Sequence, residues 1–115
     1  MGVVMFSNMQ SHDDREEAKA RRLIDRRVTL TETAFAELVL WELPKRTAER
    51  PQGYKYRLAL VSNGVCVLRY DNERGKGDHV HVGGVERHYE FRDVDQLIAD
   101  FLLDAKEWLN AHGDT

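Results

Sequence analysis

Two adjacent glycines, Gly83 and Gly84, separate two runs of alternating side chains and constrain the fold of this chain more than any other feature. A Gly-Gly pair in that setting is typical of a two-residue β-hairpin turn, because such turns need a positive φ at their central positions. The turn also determines which residues face each other across the hairpin. The sequence therefore predicts a hairpin of known register within residues 79–91.

Three of the five histidines lie on this hairpin. The predicted register pairs His79 with His88 and His81 with Glu86. Because opposed residues share a face and side chains alternate along a strand, these four project from one face. The other face carries Val80, Val82, Val85, Tyr89 and Phe91, with Arg87 as an exception. Imidazoles titrate near neutral pH and bind metals, so we expect a functional site on the histidine face.

Composition narrows the class of protein. A chain of 115 residues fits one domain, and its core is modest enough that a homodimer or a stable partner would help it. The net charge of −3 is no general signature of nucleic-acid binding. Residues 45–57, however, carry five basic side chains and one acidic one, and such a local patch can bind phosphate.

Cysteine content and hydropathy indicate the compartment. The single cysteine, Cys66, excludes an intramolecular disulfide and a zinc site built from several thiolates. It lies in an apolar strand, where we expect a buried, inert thiol. No apolar run approaches the ~20 residues that a membrane span needs, and the start of the chain does not resemble a signal peptide. We therefore expect a cytoplasmic protein with no membrane partner.

The remaining elements follow from local patterns. Residues 12–26 carry acids first and bases last, which predicts a helix that packs weakly. Residues 28–43 alternate as strand, with a turn near 31–34. Asn63-Gly64 then predicts a second hairpin, central in its sheet. A regular register there puts the side chains into two sets, one on each face of the sheet. One face carries Ala59, Val61, Cys66 and Leu68, and the other carries Leu58, Leu60, Val67 and Arg69.

A C-terminal helix completes the predicted fold. Asp93 can cap it, with Gln96 as the partner in a capping box. Its apolar stripe consists of Val94, Leu97, Ile98, Phe101, Leu102, Ala105, Trp108 and Leu109. We expect this stripe on one face of an antiparallel sheet of about five to six strands. The fold class is an α+β two-layer domain over residues 28–112, preceded by an N-terminal extension and weaker helix over residues 1–27.

One block of sequence resembles a known family. Residues 70–81 read Tyr-Asp-Asn-Glu-Arg-Gly-Lys-Gly-Asp-His-Val-His, with Gly-Tyr-Lys-Tyr upstream at 53–56 and Tyr-Glu-Phe downstream at 89–91. This block resembles the TumE family over roughly residues 28–105. The resemblance implies the toxin of a type II toxin–antitoxin module with a cognate antitoxin, usually a helix-turn-helix protein. It supplies no catalytic mechanism. Family members commonly have a basic residue between the two histidines, where this chain has Val80.

The residue types favour a metal-independent endoribonuclease that needs no cofactor. RNA cleavage needs a base, an acid and cations for the phosphate. His79 and His81 are the predicted acid–base pair, and Asp78 or Glu86 could orient one of them. The predicted groups that bind the phosphate and the RNA are Lys76, Arg74, Arg69, Lys55, Tyr70 and His88. Tyr54 and Tyr56, with Tyr70, offer rings on which bases could stack.

Three alternatives stay open at this point. The same hairpin face, with His79, His81, His88 and Glu86, could hold the metal of a metal-dependent hydrolase. The basic loop could instead belong to a non-catalytic protein that binds a macromolecule. The histidines could also be an inert solvated surface.

Overall fold

An antiparallel sheet with one helix on one of its faces forms the protein, in a computed structural model that describes residues 20–72 and 76–112. The strands pair in chain order: β1 (Arg21–Thr29), β2 (Ala34–Glu42), β3 (Tyr54–Ser62), β4 (Val65–Asp71), β5 (His79–Val82) and β6 (Val85–His88). Helix α1 (Val94–Ala111) follows. This order confirms the predicted α+β class, the strand count and the central place of the β3–β4 hairpin.

The first strand corrects one prediction. Residues 21–26 were expected to be helical, but they belong to β1, which pairs antiparallel with β2. Cross-strand contacts explain the difference: Arg21 forms an ion pair with Glu42 at 2.7 Å, and Arg22 lies over the ring of Trp41. Leu23 and Ile24 alone supply too little apolar surface for the stripe of a packed helix, so strand pairing prevails over the charge pattern. Residues 12–19 of the predicted helix lie outside the described residues.

The β3–β4 hairpin forms at the predicted turn but not in the predicted register. Asn63 and Gly64 both have positive φ, 52° and 79°, as a two-residue hairpin turn requires. Val61 faces Cys66, but the register then shifts and Leu60 faces Leu68. Val67 is the extra residue of a β-bulge, and every later side chain of β4 changes face. The regular register predicted for this hairpin is therefore wrong beyond Cys66.

The β5–β6 hairpin confirms its predicted register, but β6 ends at His88, so Tyr89 and Phe91 lie beyond the strand, and Val85 is 65% exposed. Gly83 and Gly84 have φ values of 53° and 88°. The register pairs His79 with His88, Val80 with Arg87, His81 with Glu86 and Val82 with Val85. Arg87, the one charged residue predicted on the apolar face of this hairpin, has a partner there: its guanidinium lies 3.7 Å from the carboxylate of Asp104 on α1.

The sheet has two unlike faces. The helix face, which α1 covers, is apolar, and its fully buried side chains include Leu40, Leu58, Leu60, Leu68 and Val80. Tyr70 packs edge-on against Phe101 of α1 at 5.7 Å. The open face, which α1 leaves uncovered, carries Arg57, Arg69, Asp71, His79 and His81. Cys66 lies near the turn and is exposed, so the predicted burial of its thiol is wrong.

Helix α1 begins where the sequence predicts. The Asp93 carboxylate accepts a hydrogen bond from the backbone N–H of Gln96, but the Gln96 side chain donates to Asp100, so the capping box is only half formed. Leu97 and Phe101 are fully buried, whereas Leu102 is 45% exposed and does not join the core as expected. None of the helices in the described part of the chain has the length and apolar character that crossing a membrane requires.

Phe101 should be the largest single contributor to the core. Its side chain is 0% exposed and lies between the sheet and α1. Phe101→Ala should lower the free energy of unfolding by about 3–5 kcal/mol, because it removes buried apolar surface and leaves a cavity. Leu103→Ala on the same helix, 56% exposed, should change it by less than about 0.5 kcal/mol. Urea unfolding of both variants measures this, and equal losses would contradict the packing.

Candidate active site

Strands β4, β5 and β6 bring the polar residues of the open face together. Across β4 and β5, Arg69 faces His81 and Asp71 faces His79. Across β5 and β6, His81 faces Glu86. We call Asp71, His79 and His81 the histidine centre. The bulge at Val67 is what puts Arg69 and Asp71 beside the two histidines.

His79 is held from both sides. Its side chain is 3% exposed, and its Nδ1 lies 2.8 Å from the carbonyl oxygen of Gly77. A carbonyl only accepts, so Nδ1 carries the proton of this hydrogen bond. Nε2 lies 2.6 Å from Oδ1 of Asp71, but the direction of that contact does not satisfy hydrogen-bond geometry. The pair is therefore in close polar contact without a directed hydrogen bond.

Asp71 is positioned by its neighbours in sequence. Its Oδ2 accepts a hydrogen bond from Nε of Arg69 at 2.6 Å. The next residue, Asn72, is buried and ties the end of β4 to β3. Its Oδ1 accepts from the backbone N–H of Tyr56 at 3.1 Å, and its Nδ2 donates to the carbonyl of Tyr54 at 2.7 Å. These bonds to β3 hold the adjacent Asp71 in place.

His81 and Glu86 complete the surroundings. The rings of His79 and His81 meet edge to face with centroids 4.7 Å apart. The His81 side chain is 26% exposed, yet its Nε2 is buried and has no hydrogen-bond partner. Glu86 lies near both rings, 3.9 Å from Nε2 of His79 and 4.0 Å from Nδ1 of His81.

The histidine centre has the donors of a metal site. One ligand atom from each of Asp71, His79 and His81 can be chosen so that all three lie within 4.8 Å of one another. Imidazole nitrogen and carboxylate oxygen are common zinc ligands. Asp71 was absent from the ligand set predicted from the sequence.

A basic pocket lies next to the histidine centre. It has a volume of about 390 Å³ and is lined by Arg50, Lys55, Tyr56, Arg57, Arg69, Asp71 and Asn72. Four of these side chains are cationic and one is a carboxylate, so the pocket favours an anion. Nε of Arg50 is buried and has no hydrogen-bond partner. A larger cleft of about 840 Å³ lies beside the N-terminus of α1; of the predicted site residues only Tyr54, one of the candidate stacking rings, lines it.

Other predicted residues lie elsewhere. Asp78 accepts hydrogen bonds from Gln52 and from the hydroxyl of Tyr56, so Asp71 rather than Asp78 adjoins the His79 ring. Lys76 is exposed in the loop and His88 is exposed on β6, opposite His79. Arg74 lies outside the described residues.

The expected stacking surface is wrong for two tyrosines. Tyr56 and Tyr70 are 3% and 2% exposed on the helix face, where no base can reach their rings. For Tyr70 the cause is the bulge, since a regular register would have placed it on the open face.

Buried tyrosine–carboxylate pairs support the sheet beneath the site. The hydroxyl of Tyr56 donates to Asp78, that of Tyr70 to Asp104 on α1, and that of Tyr89 to Asp100 on α1. Burial raises the pKa of each of these three phenols well above its ordinary value, and the accepting carboxylate raises it further.

The fold and the site together define a small α+β protein with a histidine centre and a basic pocket on the open face of its sheet. The family model described as Toxin TumE matches residues 6–109. The chain therefore belongs to the TumE toxin family and is a toxin of a toxin–antitoxin system, with an antitoxin as its partner. The match includes β1 and begins well before residue 28, inside the segment predicted to be an extension.

Two further comparisons gave no relatives. Neither the curated proteins nor the solved structures contain a match to this chain.

Alkaline pH should destabilise the protein steeply. An ordinary tyrosine loses its proton near pH 10, whereas the pKa values of Tyr56, Tyr70 and Tyr89 are raised in the folded state. Their stabilising effect is complete below about pH 10 and is lost as the pH rises, because the unfolded chain then releases protons that the folded one retains. Tyr70→Phe should make this loss less steep. Unfolding midpoints between pH 8 and pH 11 measure it, and parallel pH profiles for the variant and the original protein would contradict it.

Proposed function

We propose that this toxin is a cytoplasmic endoribonuclease that cleaves RNA without a metal ion. The observation that carries the proposal is the position of the basic pocket directly beside the histidine centre, on the face that α1 leaves uncovered. Asp71 belongs to the histidine centre and also lines the basic pocket, and Arg69 lines the pocket and donates a hydrogen bond to Asp71. An RNA phosphate bound by the cations would bring its ribose next to two imidazoles.

His79 and His81 are the proposed acid–base pair. One imidazole takes the proton of the 2′-hydroxyl, and the 2′-oxygen attacks phosphorus. The bond from phosphorus to the 5′-oxygen breaks, and the other imidazole protonates that leaving oxygen. The products are a 2′,3′-cyclic phosphate and a 5′-hydroxyl. His81 is the more exposed ring and takes the position facing the RNA, while Asp71 orients the buried His79.

The cations have two proposed places. Arg69 and Lys55, which line the basic pocket, bind the phosphate at the cleavage position and stabilise its developing charge. Lys76, in the loop before β5, and Arg74 are proposed to bind the RNA backbone beyond it. His88, exposed opposite His79, extends the same surface. Asp78 supports β5 through its hydrogen bond with Tyr56.

The proposed antitoxin is a helix-turn-helix protein. This proposal rests on the family resemblance of residues 70–81 and on the match to the toxin family. Coexpression of the neighbouring gene should restore the growth that the toxin suppresses.

Removing the acid–base pair should abolish cleavage. His81→Ala should lower the rate by about 100-fold or more, the range that general acid–base groups contribute. Arg69→Ala should also lower it, because a phosphate contact is lost. Lys106→Ala, which removes an exposed cation from α1, should leave the rate unchanged. The measurement is cleavage of a fluorescent RNA by the purified full-length chain, with circular dichroism to confirm folding.

Two conditions separate this mechanism from others. Cleavage should survive a chelator, because no step uses a metal. It should also fall as salt rises, because phosphate contacts release counterions from the RNA. Full toxicity in a His79→Ala, His81→Ala double variant would refute the acid–base pair. Activity that is lost in chelator and restored by added metal would refute the metal-independent mechanism.

A further inference from the structure

We propose that the histidine centre binds one zinc(II) ion and that bound zinc inhibits the toxin. Asp71, His79 and His81 supply an oxygen and two nitrogens that lie within 4.8 Å of one another. Two imidazoles and a carboxylate are a common donor set for zinc in proteins. The binding is independent of the proposed function, whereas the inhibition rests on it.

Two buried nitrogens support a cation at this point. Nε2 of His79 and Nε2 of His81 are both inaccessible to solvent, and neither has a hydrogen-bond partner. His79 as a whole is only 3% exposed. A buried polar atom without a partner is unfavourable and rare in folded proteins. A metal ion beside Asp71 would satisfy both nitrogens at once.

The outer contacts already suit a metal ligand. The hydrogen bond from Nδ1 of His79 to the carbonyl of Gly77 puts the proton on Nδ1 and leaves the lone pair on Nε2. Zinc-binding histidines are typically oriented by such a bond from the other ring nitrogen. Arg69 donates to Oδ2 of Asp71, which orients the carboxylate in the same way. Oδ1 of Asp71 is the oxygen that lies 2.6 Å from Nε2 of His79.

The spacing requires only side-chain movement. In a tetrahedral site with bonds of about 2.0–2.1 Å, ligand atoms lie roughly 3.3 Å apart. The distance of 2.6 Å between Oδ1 of Asp71 and Nε2 of His79 would have to increase. The ligand nitrogen of His81, which lies within 4.8 Å of the other two ligand atoms, would have to move closer to them. Rotations about the side-chain bonds can supply both changes, because all three residues sit on paired strands whose backbones stay in place.

Glu86 is the proposed fourth ligand. Its carboxylate oxygens lie 3.9 Å from Nε2 of His79 and 4.0 Å from Nδ1 of His81, and the side chain is 42% exposed and able to turn inward. Four protein ligands make a closed site, which is typical of zinc that does not catalyse a reaction. Closure would also occupy the lone pairs that acid–base cleavage needs, and this is the proposed cause of inhibition.

Zinc binding should be stoichiometric and should depend on the centre. Zinc chloride alone is titrated into the purified full-length chain in competition with a chromophoric chelator. We expect one ion per chain, and affinity at least about tenfold weaker in His81→Ala and Asp71→Asn, the lower end of what the loss of an outer-shell contact costs. His112→Ala, which removes an exposed histidine at the end of α1, should bind zinc like the original protein.

The zinc test uses His81→Ala because His81 is partly exposed, so this variant should fold even if replacement of the buried His79 unfolds the chain. Equal zinc affinity in the original protein and in folded His81→Ala would overturn the site. An equal loss of affinity in His112→Ala would assign the binding to surface histidines and would also overturn it.

The inhibitory role has its own readout. Adding one equivalent of zinc should lower the rate of RNA cleavage by at least tenfold, and excess chelator should restore it. Zinc that binds but leaves cleavage unchanged, or raises it, would overturn inhibition. A chain that cleaves RNA but binds no zinc would refute this inference alone. A chain that binds zinc but cleaves no RNA in chelator would refute the proposed function and leave the zinc site standing.

Discussion

The β-bulge at Val67 is the constraint on which the rest of this structure depends. One extra residue in β4 turns Leu68 and Tyr70 toward α1 and leaves Arg69 and Asp71 on the open face. Without it the same strand would bury an arginine and expose a leucine, which burial energetics oppose. The bulge therefore serves the core and the site together.

Among the described residues, a helix covers only one face of the sheet, and the two faces therefore have separate tasks. The helix face contains the buried apolar side chains, and its edge polar groups are paired with α1, as Arg87 is with Asp104. Those contacts hold β4, β5 and β6 in one arrangement. The open face can then present charged and titratable groups on a rigid support, which is how a precise site is best built. The histidine centre is precise because the opposite face is packed.

The two proposals for the centre share one physical origin. His79 is buried between the Gly77 carbonyl and the Asp71 carboxylate. The carboxylate carries a negative charge, and the carbonyl oxygen carries a partial negative charge. Such a position attracts a cation. In the proposed cleavage the His79 ring transfers a proton, and in the further proposal a zinc ion bound to that ring prevents the transfer. The four cationic side chains of the basic pocket beside it favour an anion in either case.

Local sequence signals determined the turns, the facing pairs of the β5–β6 hairpin and the start of α1. Gly83-Gly84 sets the pairing of His79 with His88 because short turns depend on backbone conformations that few residues adopt. Only the tertiary structure decided that β1 is a strand and that Asp71 joins the histidines. Both depend on partners distant in the chain: β2 for the first, and the burial of residues 68 and 70 under α1 for the second. A bulge has no local signature comparable to a glycine turn, because packing across the sheet determines its position.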